Sequence, residues 1–361
     1  MPTVDYAMSV RSVSKGKFVA GIGPTRFLAV PDGADPDPAQ AITASAWYKA
    51  VTDAGKWTND KGEARGDILF VVHGYNESET EVMDRHRRIR YGLAALAFKG
   101  VIVSFDWPSG ASALAYLPDR HRAKQTALQL VSDGIAQLAA RQTPDCPINI
   151  HILGHSTGAY VIREAFDDAD DSQLRQSSWL VSQILFAAGD VSSGSMAADD
   201  SGAKSVYRHC LRLTNYSNRN DSVLDISNVK RLGVAPRVGR IGLPPDSPAI
   251  AVNIDCTELL RPACIRQECA ESRRTARHRR RAKPFVVFRE CRVHQGRVRY
   301  GDRDRERAAN DEGGGDGWWA AVGAGKERLI ACNRWLCNRR MIACTLKQRR
   351  LEPRQRGTAM H

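Results

Sequence analysis

Short apolar runs alternate with amphipathic stretches through the first 255 residues of the chain. Nearly continuous apolar runs are typical of strands buried on both faces of a parallel sheet. They predict strands at 67–72, 100–105, 148–153, 180–188, 206–214 and 249–254. Apolar positions at helical spacing predict helices between them, at 79–98, 122–141, 159–168 and 222–232. This alternation predicts an α/β fold: a mostly parallel sheet with helices on both faces.

The first 66 residues show a less regular pattern. They predict one or two edge strands, around 6–13 and 26–30, and a helix over 38–54. We find no internal repeat and no linker before position 255, so one domain is predicted over residues 1–256.

Charge and cysteine divide the chain into two parts. Residues 256–361 hold 26 Lys and Arg against 12 Asp and Glu, whereas the first 255 residues hold 27 and 28. The net charge of +13 therefore belongs to the carboxyl-terminal part, which also holds seven of the nine cysteines. We predict a basic, poorly ordered tail over 257–361.

Overall composition excludes two classes of protein. The hydrophobic share of 42% and the charged share of 26% are those of a globular chain rather than a disordered one. No apolar run is long enough for a membrane span. The amino terminus lacks the pattern of a secretory signal, so the expected location is the cytoplasm.

A serine lies between a predicted strand and a predicted helix, in Gly154-His155-Ser156-Thr157-Gly158. A tight strand-to-helix turn exposes the serine hydroxyl, and small residues two positions to either side let strand and helix approach. This context favours a nucleophile elbow. The alternative is an ordinary β–α turn.

Two further segments follow predicted strands. His73-Gly74-Tyr75-Asn76 follows 67–72, where a backbone donor of an oxyanion hole would lie. The two donors would then be the N–H groups of Tyr75 and Thr157. His73 itself reads as a structural histidine that bonds a turn. Trp107, after the next strand, either walls a substrate pocket or packs at a strand end.

The catalytic acid is expected after the nucleophile, at a later strand end. Asp221 is favoured because it follows the second predicted strand after Ser156; the alternative is that it only caps the helix predicted to begin at Ser222. Asp190, which follows 180–188, is the alternative acid.

Three motifs in this order resemble the α/β-hydrolase superfamily, and within it a bacterial family of uncharacterised serine hydrolases. They are His73 to Asn76, Phe105-Asp106-Trp107-Pro108-Ser109 and Gly154 to Gly158. The resemblance spans about residues 16–255. It implies an esterase- or lipase-like acyl hydrolase with a Ser/Asp/His triad, acting on a small ester or lipid-like substrate without cofactor or metal.

The histidine that the resemblance implies is not evident. Only His278, His294 and His361 follow Asp221. His278 lies in an arginine run that would weaken it as a base, and His361 is the last residue. His294 is therefore the expected base. If it cannot reach Ser156, the chain would be an impaired hydrolase acting as a binding protein.

The tail has three interpretations. Its 23 Arg against 3 Lys, with scattered Cys and Trp, resemble GC-rich coding DNA translated out of frame shortly after Cys256. An Arg-rich segment with tryptophans can also bind nucleic acid, which we consider the weaker hypothesis. The cysteine spacings do not match those of a zinc site.

Overall fold

The computed structural model describes residues 4–109, 116–143, 145, 147–176, 178–221, 224 and 235–258. These residues form the strands β1 (Val4–Ser14), β2 (Lys17–Pro31), β3 (Ala41–Ile42), β4 (Lys56–Thr58), β5 (Ala64–Val72), β6 (Val101–Asp106), β7 (Ile148–His155), β8 (Gln183–Ala187), β9 (Leu213–Ser217) and β10 (Ala251–Asp255). Their α-helices are α1 (Ala44–Gly55), α2 (Glu79–Ala94), α3 (Tyr116–Gln129), α4 (Ala136–Ala139), α5 (Thr157–Asp170), α6 (Ser201–Arg208) and α7 (Val238–Ile241). A π-helical segment, Leu130–Ile135, joins α3 to α4.

The strands form one mixed sheet in the order β10-β9-β8-β7-β5-β6-β1-β2-β3, with β4 paired to β5. The pairs from β1 through β6, β5, β7, β8 and β9 to β10 are all parallel. The antiparallel pairs are β1 with β2, β2 with β3, and β4 with β5. The predicted mostly parallel sheet is confirmed.

Both faces of the sheet are covered by helices. Successive residues of a strand point to opposite faces, and in β1 Met8 and Ala7 belong to different apolar clusters. Met8 packs in the larger cluster, with side chains of α1, α3 and α5 such as Trp47, Ala127 and Phe166. Ala7 packs on the other face with Met83 of α2.

One predicted strand is wrong in part. The run 206–214 was expected as a single strand, but Val206–Arg208 ends α6 and the strand begins at Leu213. Asp200 caps α6 by accepting a hydrogen bond from the Ala203 N–H. The buried Gly202, Ala203, Ser205 and Val206 form its inner face. This helical packing overrides an apolar pattern that also fits a strand.

Other boundaries differ by smaller amounts. The region predicted as a helix over 38–54 divides into a 3₁₀ turn, the short strand β3 and then α1. Strand β2 extends over Lys17–Pro31, well beyond the predicted 26–30. Of the predicted helix 222–232, only Leu224 is described, and the whole basic tail after 258 lies outside the described residues.

Candidate active site

Ser156 lies on a sharp turn between β7 and α5. Its backbone has φ 53° and ψ −121°, a positive-φ conformation that residues with a side chain rarely adopt. Three backbone hydrogen bonds hold the turn. The Ser156 N–H donates to the Ala187 carbonyl at 3.1 Å, and the Ser156 carbonyl accepts from Ala159 N–H at 3.1 Å and from Asp190 N–H at 2.9 Å. The turn is therefore tied to β8 and to the loop that follows it.

The two glycines of the motif allow close backbone contacts. A Cβ on Gly158 would lie 2.2 Å from the Val72 carbonyl oxygen, at the end of β5. A Cβ on Gly154 would lie 2.8 Å from the Cα of Ala159 in α5. Neither distance can be tolerated by a side-chain carbon. Glycine is therefore required at both positions for the strand, the helix and the neighbouring strand to meet at Ser156.

The turn after β5 lies against Ser156. A Cβ on Gly74 would be 3.1 Å from both the Ser156 Cβ and the His155 carbonyl oxygen. The register of the sheet explains this contact, because Val72 of β5 pairs with Gly154 of β7. The two segments that the sequence analysis singled out, around His73 and around Ser156, are thus neighbours.

His73 and Trp107 form one packed unit at the ends of β5 and β6. The Trp107 N–H donates to His73 Nε2 at 3.1 Å, and the Trp107 indole N–H donates to the His73 carbonyl at 3.0 Å. The rings stack at 5.2 Å. Because Nε2 accepts, the proton resides on Nδ1, which lies 2.8 Å from the Gly74 carbonyl. Both ring nitrogens are engaged, and Trp107 is fully buried, in the packed arrangement rather than on a pocket wall.

His155 points its Nδ1 at an arginine. Arg85 Nη1 lies 2.8 Å from His155 Nδ1, and a guanidinium can only donate, so Nδ1 accepts and the proton is on Nε2. Burial, and then the positive charge of Arg85, lower the pKa of His155 to about 3. His155 is therefore neutral at working pH and too weak a base to activate the adjacent serine.

The two candidate acids lie in different surroundings. Asp190 is 2% exposed and its Oδ1 lies 3.1 Å from Nε of the equally buried Arg237. Asp221 is partly buried, follows β9, and accepts a hydrogen bond from the Leu224 N–H at 3.2 Å. That last contact is the cap pattern expected for Asp221. His278, His294 and His361 lie outside the described residues.

The sequence analysis missed a group of buried charges beside these turns. Arg11 donates to Asp106 Oδ1 at 2.8 Å and to the Glu77 carbonyl at 2.7 Å. Burial alone would raise the pKa of Asp106, but the charge of Arg11 and its hydrogen bonds hold that pKa below its usual range. Arg85 also pairs with Glu77, at 2.6 Å. No local pattern marks Arg11, whose partners lie far away in sequence, and the contact of Arg85 with His155 likewise joins residues 70 positions apart.

Neither a metal centre nor a membrane segment is found in the part of the chain that the structure describes. Within it, no group of three or more His, Cys, Asp or Glu side chains is arranged to hold a metal ion. Its helices are all too short or too polar to cross a membrane.

Residues 51–248 match the family model described as "Alpha/beta hydrolase of unknown function (DUF900)". This match covers more than half of the chain and includes Ser156, the turn after β5 and both candidate acids. It stops before the basic tail. No protein with curated annotation matches the sequence.

Several solved structures resemble the chain at low similarity. An assigned cell-surface hydrolase from Lactobacillus plantarum WCFS1 is 12% identical, with a TM-score of 0.30, over 53% of this chain and 82% of its own. Esterase B from Lactobacillus rhamnosis is 9% identical, with a TM-score of 0.29, over 58% of this chain and 75% of its own. An assigned hydrolase from Agrobacterium vitis S4 is 10% identical, with a TM-score of 0.32, over 75% of this chain and 98% of its own. Scores this low carry no argument about substrate or mechanism.

Proposed function

The chain belongs to this family of α/β-hydrolases, and on that premise we propose that it is a serine hydrolase that cleaves carboxylic esters through an acyl-enzyme intermediate. One observation carries the proposal. Ser156 lies at φ 53° on a turn where Gly154 and Gly158 leave no room for a Cβ. A constrained serine between strand and helix is the arrangement that exposes a nucleophile at a sheet edge.

In the proposed reaction, Ser156 Oγ attacks the ester carbonyl carbon while a base removes its proton. The carbonyl oxygen becomes an oxyanion, which would accept hydrogen bonds from the N–H groups of Tyr75 and Thr157. The leaving alcohol takes the proton back from the base. Water then attacks the acyl-serine by the same steps in reverse and releases the carboxylic acid.

Asp221 is the proposed acid and His294 the proposed base. One contact and one difference in exposure support Asp221 over Asp190: Asp190 is buried against Arg237, whereas Asp221 is partly exposed in the loop after β9. A carboxylate already paired with an arginine is less available to stabilise an imidazolium. His294 stays a prediction from the sequence.

A small ester or lipid-like substrate and a cytoplasmic location are likewise retained as predictions. Neither a cofactor nor a metal enters the proposed steps. Binding of nucleic acid, the weaker hypothesis, concerns only the tail and predicts affinity that falls steeply as salt rises.

Hydrolysis of a short-chain nitrophenyl ester tests the proposal. We expect turnover by the native chain and its loss in Ser156→Ala. His294→Ala and Asp221→Ala should each retain substrate binding but lose most of the rate, by about 10⁴-fold or more. Full activity in Ser156→Ala would overturn the proposal.

A second candidate function has its own observation. Among the described residues, the two histidines nearest Ser156 cannot serve as its base, because His73 is bonded through both ring nitrogens and His155 has a pKa of about 3. If His294 does not supply the base, the chain is a hydrolase-fold binding protein. That alternative predicts no turnover by the native chain, with Ser156→Ala indistinguishable from it.

A further inference from the structure

Arg85 joins the two turns that meet at Ser156. Its Nη1 lies 2.6 Å from Glu77 Oε1, on the segment that follows β5, and 2.8 Å from His155 Nδ1, on the elbow. An Nη1 amino group carries two N–H bonds, and these two acceptors use both of them. A single nitrogen therefore holds both turns at once.

The segment that follows β5 is also anchored on its other side. The Glu77 N–H donates to Ser109 Oγ at 3.1 Å, and Ser109 Oγ donates to the Glu77 carbonyl at 3.0 Å. The same carbonyl accepts from Arg11, which is paired with Asp106 at the end of β6. The backbone of Glu77 is thus fixed to β1 and to the loop after β6, while its carboxylate reaches toward β7 through Arg85.

These contacts bear on the position of Tyr75. Val72 still pairs with Gly154 in the sheet, but the chain leaves β5 at that point and turns through His73 to Glu77. Its approach to Ser156 is close, since a Cβ on Gly74 would lie 3.1 Å from the Ser156 Cβ. A donor for an oxyanion must be placed to within a fraction of an ångström to be effective. An ion pair between the partly buried Arg85 and the buried carboxylate of Glu77 restrains that placement.

Electrostatics show that the contacts of Arg85 are desolvated. Burial raises the pKa of Glu77, and the charge of Arg85 offsets this only in part. Burial also lowers the pKa of Arg85 itself, against the pull of Glu77. Burial, and then the charge of Arg85, lower the pKa of His155. Loss of Arg85 would thus raise the pKa of His155 and would also remove the ion pair that holds the carboxylate of Glu77.

We propose that Arg85 is a positioning residue of this active site, which clamps the segment His73 to Glu77 against the elbow and so places the Tyr75 N–H for the oxyanion. This inference rests on the proposed function, because Arg85 acts on the reaction only through the turn that it holds.

The first test follows His155 and Tyr75 directly by NMR, which requires no turnover. In the native chain we expect His155 to remain neutral, with its proton on Nε2, between about pH 5 and pH 8. Arg85→Met removes the donor and the charge while it keeps an apolar stem. In this variant His155 should titrate at a higher pH, toward the ordinary value of about 6.5, and the Tyr75 amide signal should shift.

The second test measures the rate at which a fluorophosphonate reacts with Ser156. Arg85→Met should slow it by about 10- to 100-fold, the cost of a misplaced oxyanion donor. With an ester substrate the loss should fall on kcat rather than on KM, since the oxyanion forms only in the transition state. Arg85→Lys keeps the charge and enough N–H groups, and should restore most of the rate.

Arg88→Met is the matched control, because it is the same substitution at an exposed position of the same helix. It should change neither the titration of His155 nor the labelling rate. If Arg85→Met does not fold, Glu77→Gln replaces it, with the same expected shift of the Tyr75 amide.

The outcomes separate the two proposals. If the native chain does not react with the probe but Arg85→Met still alters His155 and Tyr75, the serine hydrolase proposal fails and the positioning role fails with it, while the contact of Arg85 with both turns is confirmed. If the native chain reacts and Arg85→Met matches it in rate, in His155 titration and in the Tyr75 amide, the positioning role is refuted.

Discussion

At the scale of single residues, the site depends on what each backbone position permits. Ser156 is held at φ 53° and ψ −121° by hydrogen bonds to β8 and its following loop. Such a conformation costs of the order of 1–3 kcal/mol in a residue that carries a side chain. The surrounding structure therefore stores strain at the one position where the proposed chemistry needs an exposed hydroxyl.

This strain gives a prediction about stability. Ser156→Gly removes the side chain that makes the conformation costly, so it should raise the free energy of unfolding by about 1 kcal/mol over Ser156→Ala. Both variants lack the nucleophile, and the alanine variant therefore serves as the control. Denaturant unfolding measures the difference. A glycine variant that is less stable than the alanine variant would show that the turn is not strained.

The sequence predicted some of these residues and not others, for a physical reason. The elbow and the segment after β5 are local, since their glycines and their place after a strand can be read within ten residues. Arg85 and Arg11 act over long separations: Arg85 bonds to a residue 70 positions away, and Arg11 to one 95 positions away. Such pairing depends on the order of strands in the sheet, which one sequence does not specify.

At the scale of elements, the candidate site lies at the amino terminus of α5, and hydrogen bonds hold the carboxyl terminus of this helix in place. Its amino terminus follows Ser156, and its carboxyl-terminal Asp170 bonds to His209 Nε2 at 2.8 Å. His209 Nδ1 lies 3.1 Å from the Trp179 carbonyl, and the two rings stack at 3.8 Å. Both ring nitrogens of His209 thus face oxygen atoms of neighbouring elements. A pin of this kind keeps the helix, and with it the elbow, in register with the sheet.

Asp170→Ala should destabilise the fold by about 3 kcal/mol, because it leaves His209 and Arg208 without their buried acceptor. Asp171→Ala, at the exposed neighbouring position, is the matched control and should be nearly neutral. Thermal or denaturant unfolding checks both. Equal stability of the two variants would contradict the pinning role.

The pair of Asp170 and His209 makes the stability of the fold depend on pH. Burial would raise the pKa of Asp170, but the hydrogen bonds from His209 and Ser205 outweigh it, and the pKa lies below its ordinary value of 3.8. A depressed pKa means that the carboxylate stabilises the fold above pH 3.8 and loses this effect as the pH falls through the folded-state pKa. The gap in stability between the native chain and Asp170→Ala should therefore narrow below pH 3.8. A constant gap over that range would refute the account.

Helix α6 shows where element prediction failed. The run 206–214 is apolar enough for a predicted strand, yet its first residues finish a helix that Asp200 caps. The cap and the inner face at Gly202, Ala203 and Val206 were signals present in the sequence. The sequence alone does not show that α5 packs against this face. In the structure, Arg163 of α5 contacts Asp200 and Ser195 there.

At the scale of the whole molecule, the parallel strands bring the ends of β5, β6, β7, β8 and β9 to one edge of the sheet. That edge gathers Ser156, the segment after β5 and both candidate acids. The family match ends at residue 248, and the excess of positive charge lies in residues 256–361. The change in composition thus comes soon after the end of the family match.

This coincidence supports the prediction that the reading frame changes shortly after Cys256. Translation of the other two frames beyond that codon should reveal a segment with a histidine in a loop, followed by an amphipathic helix. If His294 does not supply the base, a chain with that continuation should hydrolyse esters faster than the present one, because it gains a general base. Two frames without such a segment would show that the basic tail is native sequence.

The most direct test of the central claim is the site at which a fluorophosphonate attaches. Peptide mass spectrometry after treatment of the native chain should locate one adduct on the peptide that contains Ser156, and Ser156→Ala should carry none. An adduct elsewhere, an adduct that persists in Ser156→Ala, or no adduct at all would contradict the assignment of Ser156 as an activated nucleophile.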